Sequence, residues 1–84
     1  MTPQELFDKL NTIEPLNRRM SKIYFAIEDL NCEMYYWSCA DMFKCRRIRD
    51  WDAELHSEPI RAIQDLITRN HLEEVSVNDV IIQS

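Results

Sequence analysis

The chain has 84 residues and not one glycine, and that absence limits what it can fold into. Two-residue hairpins of types I′ and II′ need positive φ at a central position, which glycine, asparagine and aspartate supply at least cost. Loops that cradle phosphate need glycine so that the backbone can approach the ligand. The chain therefore has neither a P-loop nor a dinucleotide fingerprint, and it offers few candidate hairpins. With 45% hydrophobic and 30% charged residues, it has the composition of a globular domain. These observations predict an all-α fold, one helical domain spanning residues 1–84.

The first helix has a marked start. Thr2-Pro3-Gln4-Glu5 matches a capping box with proline in the first turn. Met1 and Leu6 sit where a hydrophobic staple forms. Leu6, Phe7, Leu10 and Ile13 follow at helical spacing, and Pro15 disfavours helical geometry at Glu14.

Beyond Pro15 the dominant pattern is Leu16, Met20, Ile23, Ile27, Leu30, Met34 and Trp37, spaced alternately four and three apart. That is the a/d pattern of a coiled-coil seam. Asp41 and Lys44 occupy the next two positions, and Ile48, Trp51 and Leu55 resume the phase. No proline or glycine interrupts residues 16–56. The spacing predicts one helix over about 16–55, roughly 60 Å long at 1.5 Å per residue. A second stripe, Phe25, Cys32, Tyr36, Cys39 and Phe43, makes residues 34–43 apolar almost all round, so they need cover on more than one side. A break near residues 41–47, folding the chain back into a compact bundle, is the alternative.

Two such helices packed antiparallel would set Asp41 against Lys44 of the partner, a polar pair able to fix register. A homodimer is expected on this ground. Pro59 opens a helix capped by Ser57 or Glu58, with Ile60, Ile63, Leu66 and Ile67 on one face and Asn70 at its end. Ser76-Val77-Asn78-Asp79 suits the cap of a short helix carrying Val80, Ile81 and Ile82; a strand is the alternative there.

The net charge of −5 is unevenly spread. Residues 1–49 carry eight basic and seven acidic groups, and residues 50–84 two basic and eight acidic. This balance disfavours a general nucleic-acid binder. Three cysteines, at 32, 39 and 45, do not make a disulfide framework, and reduced thiols suit a cytoplasmic protein. No close pair such as C-x2-C supports a metal site, and no cofactor is expected. The N-terminal residues do not read as a signal peptide, and no apolar run approaches a membrane span. No spacing of serine, cysteine, histidine and aspartate is diagnostic of catalysis, and no long loop offers a cleft. An enzyme is not expected.

The region from Met34 to Trp51 concentrates aromatics, methionine and arginine, the residue types enriched at interface hot spots. The expected function is a non-enzymatic protein-binding module that inhibits or adapts a larger partner. Its candidate contact residues are Tyr35, Trp37, Asp41, Lys44, Arg46, Arg47, Trp51, Asp52 and Glu54. In general type the chain resembles many small proteins of phages and other mobile elements, which commonly bind and block a larger host protein. Two alternatives remain. A nucleic-acid-associated regulator would use Arg18, Arg19, Lys44, Arg46, Arg47 and Arg49. An acidic decoy for a DNA-binding protein would use Asp50, Asp52, Glu54, Glu58, Asp65, Glu73 and Glu74.

Overall fold

Within the segment read as one long helix, residues 22–47 form three antiparallel strands instead. The structure, a computed structural model, describes residues 1–12 and 22–83. Its elements in chain order are α1 (Pro3–Asn11), β1 (Lys22–Ile27), β2 (Leu30–Trp37), β3 (Met42–Arg47), α2 (Pro59–Arg69), a 3₁₀ turn (Val77–Asp79) and β4 (Val80–Gln83). The four strands form one antiparallel sheet in the order β3-β2-β1-β4. The fold is α+β, not all-α, and the described residues form neither a helical bundle nor a coiled coil. A 60 Å helix has no place in a body whose longest dimension is 33 Å. The antiparallel helix dimer, with its Asp41–Lys44 register pair, has no helix to form it. Ile13, Pro15, Leu16, Arg18, Arg19 and Met20 lie outside the described residues.

The physical reason is that two periods overlap in this sequence. A step of four residues keeps a side chain on one face of a strand as well as on one face of a helix. Ile23 and Ile27 share the inner face of β1, and Phe25 lies between them, also buried. Cys32 and Met34 share the inner face of β2. The step of three from Ile27 to Leu30 crosses a two-residue turn at Glu28 and Asp29. The part of the helical stripe from Ile23 to Met34 is thus a strand alternation interrupted by a turn, and the step of three from Met34 to Trp37 passes to the other face of β2. The apolar ring of residues 34–43 is the two faces at the end of β2 and the start of β3, joined by the connection over residues 38–41.

The hairpins form without glycine because other residues accept positive φ. Glu28 (φ 55°) turns β1 into β2, and Asp41 (φ 54°) ends the four-residue connection between β2 and β3. Arg49 (φ 76°) follows β3, and His71 (φ 55°) stands just past the C-cap of α2. At His71 the amide of Leu72 donates to the carbonyl of Ile67 at 3.0 Å, closing a Schellman motif that usually holds glycine.

Both helices lie on one side of the sheet. Leu6 and Leu10 of α1 and Ala62, Ile63, Leu66 and Ile67 of α2 are buried with Ile23, Phe25, Ile27, Cys32, Met34, Phe43, Cys45 and Val80 in one core. The capping box at Thr2 forms as expected: Thr2 Oγ1 accepts from the Glu5 amide at 3.2 Å, and Glu5 Oε1 accepts from the Thr2 amide at 2.8 Å. Those hydrogen bonds hold the Glu5 carboxyl below its ordinary range. The Met1 ammonium donates to the carbonyls of Leu72, Glu73 and Val75, which ties the start of α1 to the loop after α2. The second helix starts at Pro59 and is capped at Asn70, both read from the sequence, though Glu58 makes no side-chain cap bond. Near the C-terminus Ser76 caps a single 3₁₀ turn through the Asn78 amide. The apolar run beyond it pairs with β1 as strand β4 rather than forming a helix.

Candidate functional site

Alternation divides each strand between the core and the opposite face of the sheet. On β1, Lys22, Tyr24 and Ala26 point away from the helices; on β2, Asn31, Glu33, Tyr35 and Trp37; on β3, Met42, Lys44 and Arg46. The register sets these in rows: Lys22 beside Tyr35 beside Lys44, Tyr24 beside Glu33 beside Arg46, and Trp37 beside Met42. No described element packs over this face. Tyr24 and Trp37 are each 41% exposed, and Ile81 of β4 is 67% exposed.

The charges on the face are organised around one carboxylate. Glu33 is only 6% exposed. Its Oε1 accepts from Arg46 Nε at 2.8 Å, and its Oε2 lies 4.0 Å from Lys22 Nζ. The Lys22 ammonium stands 5.9 Å from the Tyr24 ring centre and 5.7 Å from that of Tyr35, within cation–π range of both. Arg46 also donates to the carbonyl of Asp50 at 3.2 Å and lies 5.3 Å from the centre of the Trp51 ring. Trp51 is thereby held at the β3 edge of the face, yet remains 79% exposed.

Of the nine candidate contact residues, five meet here: Tyr35, Trp37, Lys44, Arg46 and Trp51. Strand alternation collects them, not a helical stripe. The other four stand elsewhere. Asp41 lies in the β2–β3 connection, where it accepts from the Tyr36 hydroxyl at 2.8 Å. Arg47 ends β3 at one end of the sheet and lines a separate depression with Asp29, Asn31, Arg49 and Gln83. Asp52 and Glu54 are exposed in the loop over 48–58. Lys22, Tyr24, Glu33 and Ile81 were not among the candidates. The signal for the first two was the run Lys22-Ile23-Tyr24-Phe25-Ala26-Ile27, in which large side chains alternate with the core set.

The loop that presents Trp51 is anchored from below. Asp50 accepts from Arg69 of α2 through two nitrogens, Nη2 to Oδ1 at 2.7 Å and Nε to Oδ2 at 3.1 Å. The Arg69 hydrogen bonds hold the Asp50 carboxyl below its ordinary value. This pairing removes Asp50 from any free acidic array, and the remaining decoy residues are spread over the loop, α2 and the turn after it. His56 pairs with Phe43 through two backbone hydrogen bonds of 2.7 Å and so covers part of the outer edge of β3. Its Nε2 is buried with no hydrogen-bond partner among the described residues.

Cys32 and Cys45 face the core, and burial pushes the Cys32 thiol up to about 12 and the Cys45 thiol well above its ordinary value. Both are protonated at neutral pH and poor nucleophiles. Cys39 is exposed in the β2–β3 connection. No cluster of three histidine, cysteine, aspartate or glutamate side chains able to hold a metal occurs among the described residues. No helix among them is long and apolar enough to cross a membrane. No family model matches the chain, and neither a curated protein nor a solved structure does.

Proposed function

We propose that this chain is a non-enzymatic protein-binding module of the cytoplasm, which docks onto a larger partner through the outer face of its sheet and thereby inhibits or adapts it. The observation that carries the reading is the set of tyrosine, tryptophan and arginine side chains gathered on one strand face opposite both helices, with Trp51 79% exposed. Large aromatic side chains left in water favour burial against a partner. Tyrosine, tryptophan and arginine are the types that dominate interface hot spots. Trp51, stacked on Arg46 and anchored through Asp50, is held in place before binding, which reduces the entropy lost on docking.

A second reading draws on one observation. Tyr24 and Tyr35 flank Lys22 on an antiparallel sheet, the kind of surface on which unpaired bases stack. The buried Glu33 and the net charge of −5 weigh against it.

The test is affinity capture with the tagged chain and with its Trp51→Ala and Trp37→Ala variants after nuclease treatment. The expected result is one stoichiometric protein partner, retained by the parent chain and lost from Trp51→Ala while the variant stays folded. A partner held equally well by both variants would refute the sheet face as the docking surface.

A further inference from the structure

The outer face dips between β1, β2 and β3 into a hollow of about 190 Å³ lined by Lys22, Glu33, Tyr35, Lys44 and Arg46. Three cations share it with one carboxylate, an excess of positive charge in a chain that is acidic as a whole. The distribution inside the hollow is uneven. Glu33 is taken up by Arg46 at 2.8 Å and reaches Lys22 only at 4.0 Å. Lys44 is half-buried and paired across the strands with Tyr35, and its ammonium has no ion pair or hydrogen bond among the described residues. An ammonium without a counter-ion at the end of a half-buried stem gains from an anion that can reach it.

We infer that this hollow receives an acidic side chain of the protein partner, its carboxylate seated between Lys22 and Lys44 above the Tyr35 ring. The inference rests on the protein-binding reading and adds the chemistry of what binds. The aromatic rim formed by Trp37 and Trp51 takes the apolar neighbours of that acidic residue. The charge pattern favours a single carboxylate over a nucleic-acid backbone. Among the described residues the cations of this face gather in the one hollow instead of a stripe, whereas a phosphate chain needs a positive groove that tracks it. Beyond Trp51 the loop turns acidic, with Asp52 and Glu54 exposed, which repels a polyanion but tolerates one buried acid.

The experiment is an NMR titration of the ¹⁵N-labelled chain with a terminally blocked pentapeptide carrying one glutamate between two leucines. Parallel titrations use the glutamine counterpart and an oligothymidylate. The acidic peptide is expected to move the amide signals of Lys22, Tyr35 and Lys44 saturably, and the glutamine peptide to bind about tenfold more weakly. Lys44→Met keeps the aliphatic stem and is expected to weaken the acidic peptide by a similar factor. Lys22→Met is the second variant should Lys44→Met lose its dispersed spectrum. Equal affinity for the two peptides, no movement of those signals, or tighter binding of the oligothymidylate would overturn the inference. A captured partner lost from Trp51→Ala yet retained by Lys44→Met would remove the carboxylate site and leave the protein-binding reading standing.

Discussion

Among the described residues, four carry strain that a glycine would relieve. Glu28, Asp41, Arg49 and His71 have φ between 54° and 76°, where a side chain crowds the backbone at a cost of roughly 1 kcal/mol or more. Aspartate tolerates this region through its short polar side chain, but glutamate and arginine have no such compensation. Glu28→Gly and Arg49→Gly are each expected to raise stability by up to about 1 kcal/mol, the gain being offset in part by the greater freedom of glycine in the unfolded chain. Urea denaturation midpoints check this, and a lower midpoint in both would contradict it. The buried Glu33 carboxylate works in the opposite sense. Glu33→Gln removes the acceptor charge from a close Arg46 contact and should cost about 2 kcal/mol. Thermal melts of this variant beside the parent would show it, and an unchanged melting point would mean that the pair contributes no net stability. At this scale the sequence misled through glycine itself. Its absence points to few hairpins, because nothing in a one-dimensional pattern reveals which ordinary residue will take up positive φ.

Among the elements, the two helices were legible because their ends are marked by local chemistry. A capping box with proline fixes the start of α1, and Pro59 and Asn70 bracket α2. The strands were not legible, because Ile23, Ile27, Leu30 and Met34 satisfy a period of 3.5 as well as a period of 2 broken at a turn. The deciding cue was composition. Ile23-Tyr24-Phe25-Ala26-Ile27 is rich in β-branched and aromatic residues, which fit a pleated, half-buried surface. Five of the expected contact residues come together for the same reason: Tyr35 and Trp37, or Lys44 and Arg46, are two apart and share a strand face. Packing between elements gives two further expectations. Leu66→Ala, at a position 1% exposed between α2 and the sheet, should cost about 3 kcal/mol in chemical denaturation. The Asp50–Arg69 pair, which clamps the loop over 48–58 to α2, makes stability depend on acid. The Asp50 carboxyl titrates below its ordinary value of 3.8 when folded. Its contribution is therefore complete above that value and is lost as pH falls through the lower, folded-state value. Asp50→Asn should lower stability at neutral pH and flatten the acid limb of the stability profile. An acid limb identical to that of the parent would show that other carboxylates account for it.

For the molecule as a whole, charge and exposure are divided between the two sides of the sheet. The helix side seals the core, and the outer face gathers aromatic rings, three cations and one carboxylate. If that face meets an acidic protein surface, the association rate should fall as salt rises, since screening weakens steering between opposite charges. The dissociation rate, governed by the buried aromatics, should change little. Stopped-flow mixing over a range of ionic strength measures both, and a salt-independent association rate would argue against electrostatic guidance. The strand order has a separate consequence, during synthesis. β1, β2 and β3 are consecutive and can zip together as soon as they leave the ribosome. The second neighbour of β1 is β4, which begins more than fifty residues after β1 does and closes the sheet only when it arrives. Until then the nascent chain carries an apolar strand with one edge unsatisfied, and a ribosome that stalls before residue 80 leaves a product open to pairing with whatever strand it meets first.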